Sequence, residues 1–535
     1  MTDLQIGLLS IVGILFLIYA GMHVAIALTL LSFLGVWFIR GKWIVASKLL
    51  ALAAADSISS YIFGVVPLFV LMGMFISVSG IGKDTFDVAN RVFGRLKGGL
   101  GIATVAANAV FAAVTGISIA SAAVFTKVAV PEMIRLGYKP RFAVGVVTGS
   151  SVLGMLIPPS LLLILFGILT ETSIGDLFKA GIMPGIVLSI GFSLAILFMA
   201  YRAPDYVGGQ PQSGENAEVD NDMSLMAAVG KLIPIVLLVA LVLGGIYAGW
   251  FTPTESGAVG AFGALLLTLG KRRLTWSGLW QVLLETGHVT VSILFLIISA
   301  NIYGRMLALS GITSFIAQWI GESGLGLYAV IGIYLVVVLL MGTILDSTSI
   351  MMIVVPLIYP IMKTFGVNFV WFGLLTVIAI EVGLITPPLG IAAYVVKSTL
   401  DDQKISLNDV FAGAFPFVLI MILVLALVMV DQVFAITPEG DFHVILDDTN
   451  QEPARDLEQA FVEDRVTPDD MLAAGGTIEP WFASVTFGGP DLTTAYIGSL
   501  RGTRIPFFRS PVAGLPIIQR GFAAIKARTY PADCR

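Results

Sequence analysis

What the chain has little of narrows its class first. Only 12% of its 535 residues are charged, against about 25% in a soluble globular protein. With 57% hydrophobic residues, that shortage excludes an ordinary water-soluble fold and points to a polytopic membrane protein. The single cysteine, Cys534, excludes an intrachain disulfide and a cysteine-based zinc site. Three histidines, His23, His288 and His443, are too scattered for a metal cluster and read as polar groups at helix ends or in a loop. There is no Walker-type phosphate loop, so ATP-driven pumping is not expected. No basic stretch suggests nucleic acid, and the net charge of −5 says little about partners. The start, Met1-Thr2-Asp3, lacks the basic region of a signal peptide, so the first apolar run reads as a retained helix.

What is there is apolar sequence in long runs. Segments 6–19, 65–78, 233–247, 291–298 and 417–430 carry almost no charge, and with their flanks they approach the roughly 20 residues of a spanning helix. The chain divides into an apolar part (1–202), a polar acidic linker (203–230), a second apolar part (231–430) and a soluble-like tail (431–535). The two apolar parts resemble each other in order. Ser79-Gly80-Ile81 matches Ser310-Gly311-Ile312, and Gly99-Leu100-Gly101 matches Gly324-Leu325-Gly326. Gly116, Ser121 and Pro131 match Gly342, Ser347 and Pro356, and Gly154-Pro158-Pro159 matches Gly383-Pro387-Pro388. Chance supplies one such match more readily than the series.

Basic clusters stand at Lys83/Arg91/Arg95/Lys97, Arg135/Lys139/Arg141 and Lys271/Arg272/Arg273. Placing them inside requires an external N-terminus and about five spans per half. That odd number inverts the second half, and inverted repeats mark secondary transporters. Arg40, Lys42 and Lys48 fall outside in this count, and 41–56 is read as an amphipathic helix lying on the membrane. The expected fold is therefore all-α and polytopic, with two inverted repeats, re-entrant hairpins and broken helices.

Each half carries a Pro-Pro pair inside an apolar segment, "GMLIPPSL" (154–161) and "GLITPPLG" (383–390). Proline lacks a backbone N–H and clashes with the preceding turn, so each pair breaks its helix. A break in the bilayer is tolerated where it lines an enclosed site. A structural kink is the plainer reading. Against it, each break follows a Gly/Ser/Thr-rich stretch that fits a re-entrant hairpin, "AAVTGISIASAAV" (112–124) and "LMGTILDSTSIMM" (340–352). Freed carbonyls and tip hydroxyls suit a hard cation such as Na⁺, and freed helix N-termini favour an anionic substrate. Asp346, in the second hairpin, has Ala120 as its counterpart and reads either as a tip-orienting group or as a cation ligand. Glu381, two residues before Gly383, is the next intramembrane carboxylate. Lys127 reads equally as a site residue or as a snorkelling lysine.

"VVPLFVLMGMFISVSGI" (65–81), "GGIYAGWFTPTESGAVGA" (244–261), "MGTILDSTS" (341–349) and the two Pro-Pro motifs resemble the large membrane subunit of tripartite ATP-independent periplasmic (TRAP) transporters, over about 1–430. The resemblance implies a multi-pass protein of the bacterial inner membrane and secondary uptake of an organic acid, such as a C4-dicarboxylate, sialic acid or sugar acid. It implies Na⁺ as coupling ion, an elevator motion, no cofactor and no catalytic residues. The implied partners are a periplasmic substrate-binding protein and a small four-helix membrane subunit, here expected as a separate chain. Carried over by motif, Ser118, Ser121, Gly154, Ile157 and Pro158 would hold one Na⁺. Gly342, Ser347, Gly383 and Thr386 would hold the other. Pro159, Pro387, Pro388, Asp346, Glu381 and Lys127 are hairpin or coupling candidates.

The tail departs from that family. "VTFGGPDLTTAYIGSLRGTRIPFFRSPVAGLPI" (485–517) resembles the end of a gluconolactonase/regucalcin-like β-propeller, with only one or two blades present. It is expected to be inactive, β-rich or disordered, and periplasmic. Two other functions stay open: a stand-alone proton- or Na⁺-coupled transporter using Asp346 or Glu381, and a lactonase borne by the tail.

Overall fold

A computed structural model describes residues 2–208, 224–323, 325–400 and 404–429, with five short strands beyond. It forms two compact units, Met1–Val444 and Ile445–Arg535.

The first unit is helical. Its first half runs α1 (Asp3–Tyr19), α2 (Val24–Arg40), α3 (Trp43–Ser59), α4 (Val65–Val78), α5 (Ile81–Phe93), α6 (Gly99–Thr115) and α7 (Ser118–Arg135). It continues with α8 (Pro140–Ser151), α9 (Leu153–Leu156), α10 (Leu161–Thr170), α11 (Ile174–Arg202) and the single turn α12 (Pro204–Val207). The second half runs α13 (Leu225–Tyr247), α14 (Pro253–Gly270), α15 (Trp276–Ser310), α16 (Ile312–Ser323), α17 (Leu327–Gly342) and α18 (Ser347–Thr364). It ends with α19 (Phe369–Leu384), α20 (Ile391–Thr399) and α21 (Leu407–Met429). The start signals are local. Thr2 and Gln5 close a capping box on α1, Thr252 and Glu255 do so on α14, and Pro253 takes the first turn of α14, where no N–H is needed.

Among the described residues, seven helical stretches are long and apolar enough to cross a membrane. Their outer faces stay uncovered: Ile186, Ile190, Leu194 and Phe198 of α11 are exposed along one stripe, as are Ile233, Leu237 and Leu241 of α13. Such a surface suits lipid, not water. The interior is filled with buried apolar side chains such as Phe111, Phe166 and Phe372, and small residues let the helices approach closely. At Gly145 of α8 an added Cβ would lie 2.2 Å from the backbone of Gly413 in α21.

The helix at 41–56 is present as α3, packed against α2 and α15, with Trp43, Ile44, Leu52 and Ile58 exposed. The polar linker is shorter than 203–230. Helix α12 occupies its start, and α13 begins at Leu225, six residues before the apolar run, because the Ser224 hydroxyl accepts the Ala227 N–H and caps it. Residues 209–223 lie outside the described residues.

The basic clusters meet at one side of this unit. Asp84 and Asp87 of α5 pair with Lys231 and Lys271. Lys97 sits 4.9 Å over the Tyr201 ring, and the Lys139 N–H bonds the Val207 carbonyl at 3.0 Å.

In the tail, β1 (Ala435–Ile436) pairs antiparallel with β2 (Phe442–His443). The second unit contains β3 (Val485–Gly488), β4 (Thr494–Ile497) and β5 (Phe507–Arg509) as one antiparallel sheet. The rest of the propeller-like reading falls outside the described residues.

Candidate functional site

The first hairpin turns at Gly116. Helix α6 ends there with φ 66°, Ile117 is extended, and α7 starts at Ser118. The left-handed conformation favours glycine, and the space demands it: a Cβ would sit 2.3 Å from the Pro159 carbonyl oxygen. The neighbouring break is assembled on this tip. Helix α9 stops at Leu156, Ile157 is extended, the Pro158–Pro159 bond is cis, and α10 follows. The Leu161 N–H returns to the Gly116 carbonyl at 3.2 Å. Pro158 offers no N–H to the carbonyl of Gly154, which loses its helical partner. The carbonyl of Met155, deprived in the same way by Pro159, accepts the Ser160 hydroxyl instead. An added Cβ on Gly154 would lie 3.0 Å from the backbone of Ile117 and Ser118, so break and tip touch main chain to main chain.

The second hairpin repeats the arrangement. Helix α17 ends at Gly342, whose Cα faces that of Gly383 so closely that a Cβ on either glycine would lie within 2.7 Å of it. The N–H groups of Leu389 and Gly390, just past the cis Pro387–Pro388 bond, donate to the Thr343 carbonyl at 3.1 and 3.3 Å. The Thr386 hydroxyl donates to the Val382 carbonyl at 2.6 Å. Two differences separate the halves. The first break is buried, covered by Gly181 and Gly185 of α11, whereas Pro387, Pro388 and Leu389 are exposed. Helix α18 is capped by Asp346, which accepts the Ser349 N–H at 3.0 Å, whereas α7 has no side-chain cap.

The two tips meet at Glu381. This carboxyl is 1% exposed and takes a hydrogen bond from Ser118 at 2.6 Å on Oε2 and from Ser347 at 3.3 Å on Oε1. The two serines expected in separate cation sites are thus linked through one acidic group. Ser121 turns elsewhere: its hydroxyl donates to Asn108 Oδ1 at 2.5 Å, and Asn108 donates to Ser150 at 2.6 Å. Asn108 was not singled out from sequence. The available signal was a lone amide in an otherwise small and apolar helix, "GLGIATVAANAVFAAVT" (99–115).

A cavity of about 890 Å³ opens beside the tips. Its wall includes Ile119 and Ala120 of α7, Asp346 and Thr348 at the second tip, Lys127 and His288. Lys127 is exposed, so it reaches the cavity and is no buried ion-pair partner. A second cavity, of about 1060 Å³, is lined by Glu171, Asp176, Asn301, Arg305 and Tyr359. Helix α15 lines both, with residues around His288 facing the first and residues around Asn301 the second. Among the described residues, no group of three or more His, Cys, Asp or Glu could hold a metal ion.

The family described as the DctM component of the tripartite ATP-independent periplasmic transporter matches residues 11–434. The chain belongs to the DctM family. Within that family it is 32% identical over 380 residues to a C4-dicarboxylate TRAP transporter large permease of Pseudomonas aeruginosa, covering 71% of this chain and 86% of the relative. It is 30% identical to the sialic acid TRAP large permease of Vibrio cholerae (79% and 95% covered) and 29% identical to the 2,3-diketo-L-gulonate TRAP large permease of Escherichia coli (70% and 85% covered). In fold, this DctM chain is similar to the YdaH transporter of Alcanivorax borkumensis, with a TM-score of 0.51 at 11% identity over 72% of this chain and 88% of that one. The MtrF structure of Neisseria gonorrhoeae matches equally, at 0.51 and 13%, over 72% of this chain and 84% of that one. The family match places the chain among membrane transporter permeases and ends at residue 434.

Proposed function

We propose that this DctM protein is the large permease of a TRAP system of the bacterial inner membrane, taking up an organic anion with Na⁺. The observation that carries the reading is the meeting of two hairpin tips at Glu381 beside one cavity, each tip bonded to its own helix break. The oxygens assigned to the two cations in this reading are the hydroxyls of Ser118, Ser121, Ser347 and Thr386 and the carbonyls of Gly154, Ile157, Pro158, Gly342 and Gly383. This neutral oxygen set fits a hard cation and offers nothing to a soft one. Na⁺ is cargo in this reading, and its gradient supplies the driving force.

The anion is assigned to the cavity walled by both tips. Lys127 and His288 stand there as polar contacts, and the uncapped start of α7 presents N–H groups that favour a carboxylate. The gathered basic clusters support placing that side in the cytoplasm. The repeated tip-to-break bonding, from Leu161 to Gly116 and from Leu389 to Thr343, supports two related halves, each contributing its hairpin and break to the moving domain of an elevator. A periplasmic binding protein and a small membrane subunit complete the system. The relatives named above are permeases for carboxylates, which supports that substrate class.

The test is uptake in proteoliposomes holding this chain with its small subunit, supplied with a binding protein loaded with a labelled organic acid. Uptake that needs the binding protein and stops when K⁺ replaces Na⁺ supports the proposal. Uptake indifferent to both overturns it in favour of a stand-alone transporter. Hydrolysis of a sugar lactone by the purified chain, lost on removal of 431–535, would turn the function toward the tail.

A further inference from the structure

Among the described residues, Glu381 is the only charged side chain that is fully buried. Both its hydrogen-bond partners are neutral hydroxyls. A carboxylate taken out of water with only such partners is under-compensated, and burial of an ionised group is costly without a counter-charge. The cation cages have the opposite deficit. Every oxygen assigned to them is neutral, so each bound Na⁺ would also sit in a poorly screened interior without an opposing charge. The position of Glu381 answers both deficits. Its Oε2 is committed to Ser118 at the first tip and its Oε1 to Ser347 at the second, and the two serines lie 229 positions apart in the chain.

We propose that Glu381 is the shared counter-charge of the two Na⁺ sites and the strap that couples them. The inference rests on the Na⁺ reading above and adds what that reading lacks, a residue that touches both sites at once. A cation at one tip would draw the carboxylate, reposition the serine it holds at the other tip and favour the second cation. Glu381 is a positioning residue in this account. Binding of one ion then changes the affinity for the other by a coupling that acts equally in both directions.

The experiment is a Na⁺ titration of thermal unfolding of the purified full chain in detergent, at constant ionic strength with K⁺ as the replacement ion. Ligand that binds only the folded state raises Tm as its concentration passes its dissociation constant. Wild type is expected to gain stability with a Hill slope of about two, the number of coupled sites. Glu381→Gln keeps the size and hydrogen-bonding capacity but removes the charge. Its Na⁺ midpoint is expected to rise about tenfold or more. Its Tm without Na⁺ should equal or exceed that of wild type, because the uncompensated charge is gone. A merely structural bridge predicts the reverse: a lower Tm without Na⁺ and an unchanged midpoint. Glu381→Asp keeps the charge and shortens the reach, so it should hold the midpoint within about threefold while its slope falls to about one.

An unchanged midpoint and slope in Glu381→Gln, with wild type responding to Na⁺, overturns the Glu381 proposal and leaves Na⁺ coupling intact. No Na⁺ response in wild type overturns Na⁺ coupling itself and the Glu381 proposal with it. A wild-type slope of about one removes the coupling without any variant.

Discussion

Asp346 shows how one residue can be read two ways until its contacts are known. Its carboxylate accepts the N–H and the hydroxyl of Ser349, at 3.0 and 2.5 Å, and so closes the first turn of α18 while its side faces the cavity. Of the two sequence readings, orienting the tip has direct geometric support. Asp346→Asn keeps a capping oxygen, and Asp346→Ala removes it at a cost of about 1 kcal/mol. The alanine variant should therefore unfold at a lower temperature in detergent, and the asparagine variant should match wild type in both stability and uptake. Loss of uptake in the asparagine variant at unchanged stability would assign Asp346 a charge-dependent role. At this scale the sequence was only partly legible. The hydroxyls and glycines of the tips stand in short local motifs, so they could be named. The partners of Ser118 and Ser121 could not, because Glu381 lies 263 positions away and Asn108 is one amide among small residues.

At the scale of elements, the breaks were legible because paired prolines remove two successive N–H donors, whereas the single prolines Pro131, Pro184, Pro234 and Pro416 lie within unbroken helices. The start of α13 depended on a single capping serine, and a boundary drawn by composition passes over it. Helix contacts leave a fainter trace, since a glycine needed for close approach looks like any other glycine. Gly145 and Gly230 are both helical, yet a Cβ at Gly145 would meet the Gly413 backbone at 2.2 Å and one at Gly230 would meet nothing within 4 Å. Gly145→Ala must push α8 and α21 apart, an overpacking expected to cost about 1–3 kcal/mol. Gly230→Ala should instead stabilise α13 by about 0.5–1 kcal/mol, because alanine loses less backbone freedom. Opposite shifts in the detergent unfolding temperature of the two variants are the expected result. Equal shifts would mean that the glycine contact between α8 and α21 is not what holds those helices together.

At the scale of the molecule, the 35-residue helix α15 sets the geometry. A helix rises about 1.5 Å per residue, so His288 and Asn301 on it are separated by roughly 20 Å along its axis. Each lines a different cavity, and only the cavity at His288 is walled by both hairpin tips. Two cavities separated along one membrane helix fit the alternating access proposed above, with the proposed site open on the side of the tips. Labelling should read that side directly. With Cys534 replaced by serine no native thiol remains, and Ala120→Cys then reports the tip cavity while Ile62→Cys reports the other. In oriented membrane vesicles a membrane-impermeant maleimide should reach Ala120→Cys from the face carrying the basic clusters and Ile62→Cys from the opposite face. Adding Na⁺ and the organic acid, with the binding protein present, should slow labelling of Ala120→Cys as the tips leave that cavity. Labelling of both positions from the same face would refute opposed cavities. Rates unmoved by Na⁺ and substrate would show that the tips stay in place during transport, and an elevator would then be the wrong motion for this chain.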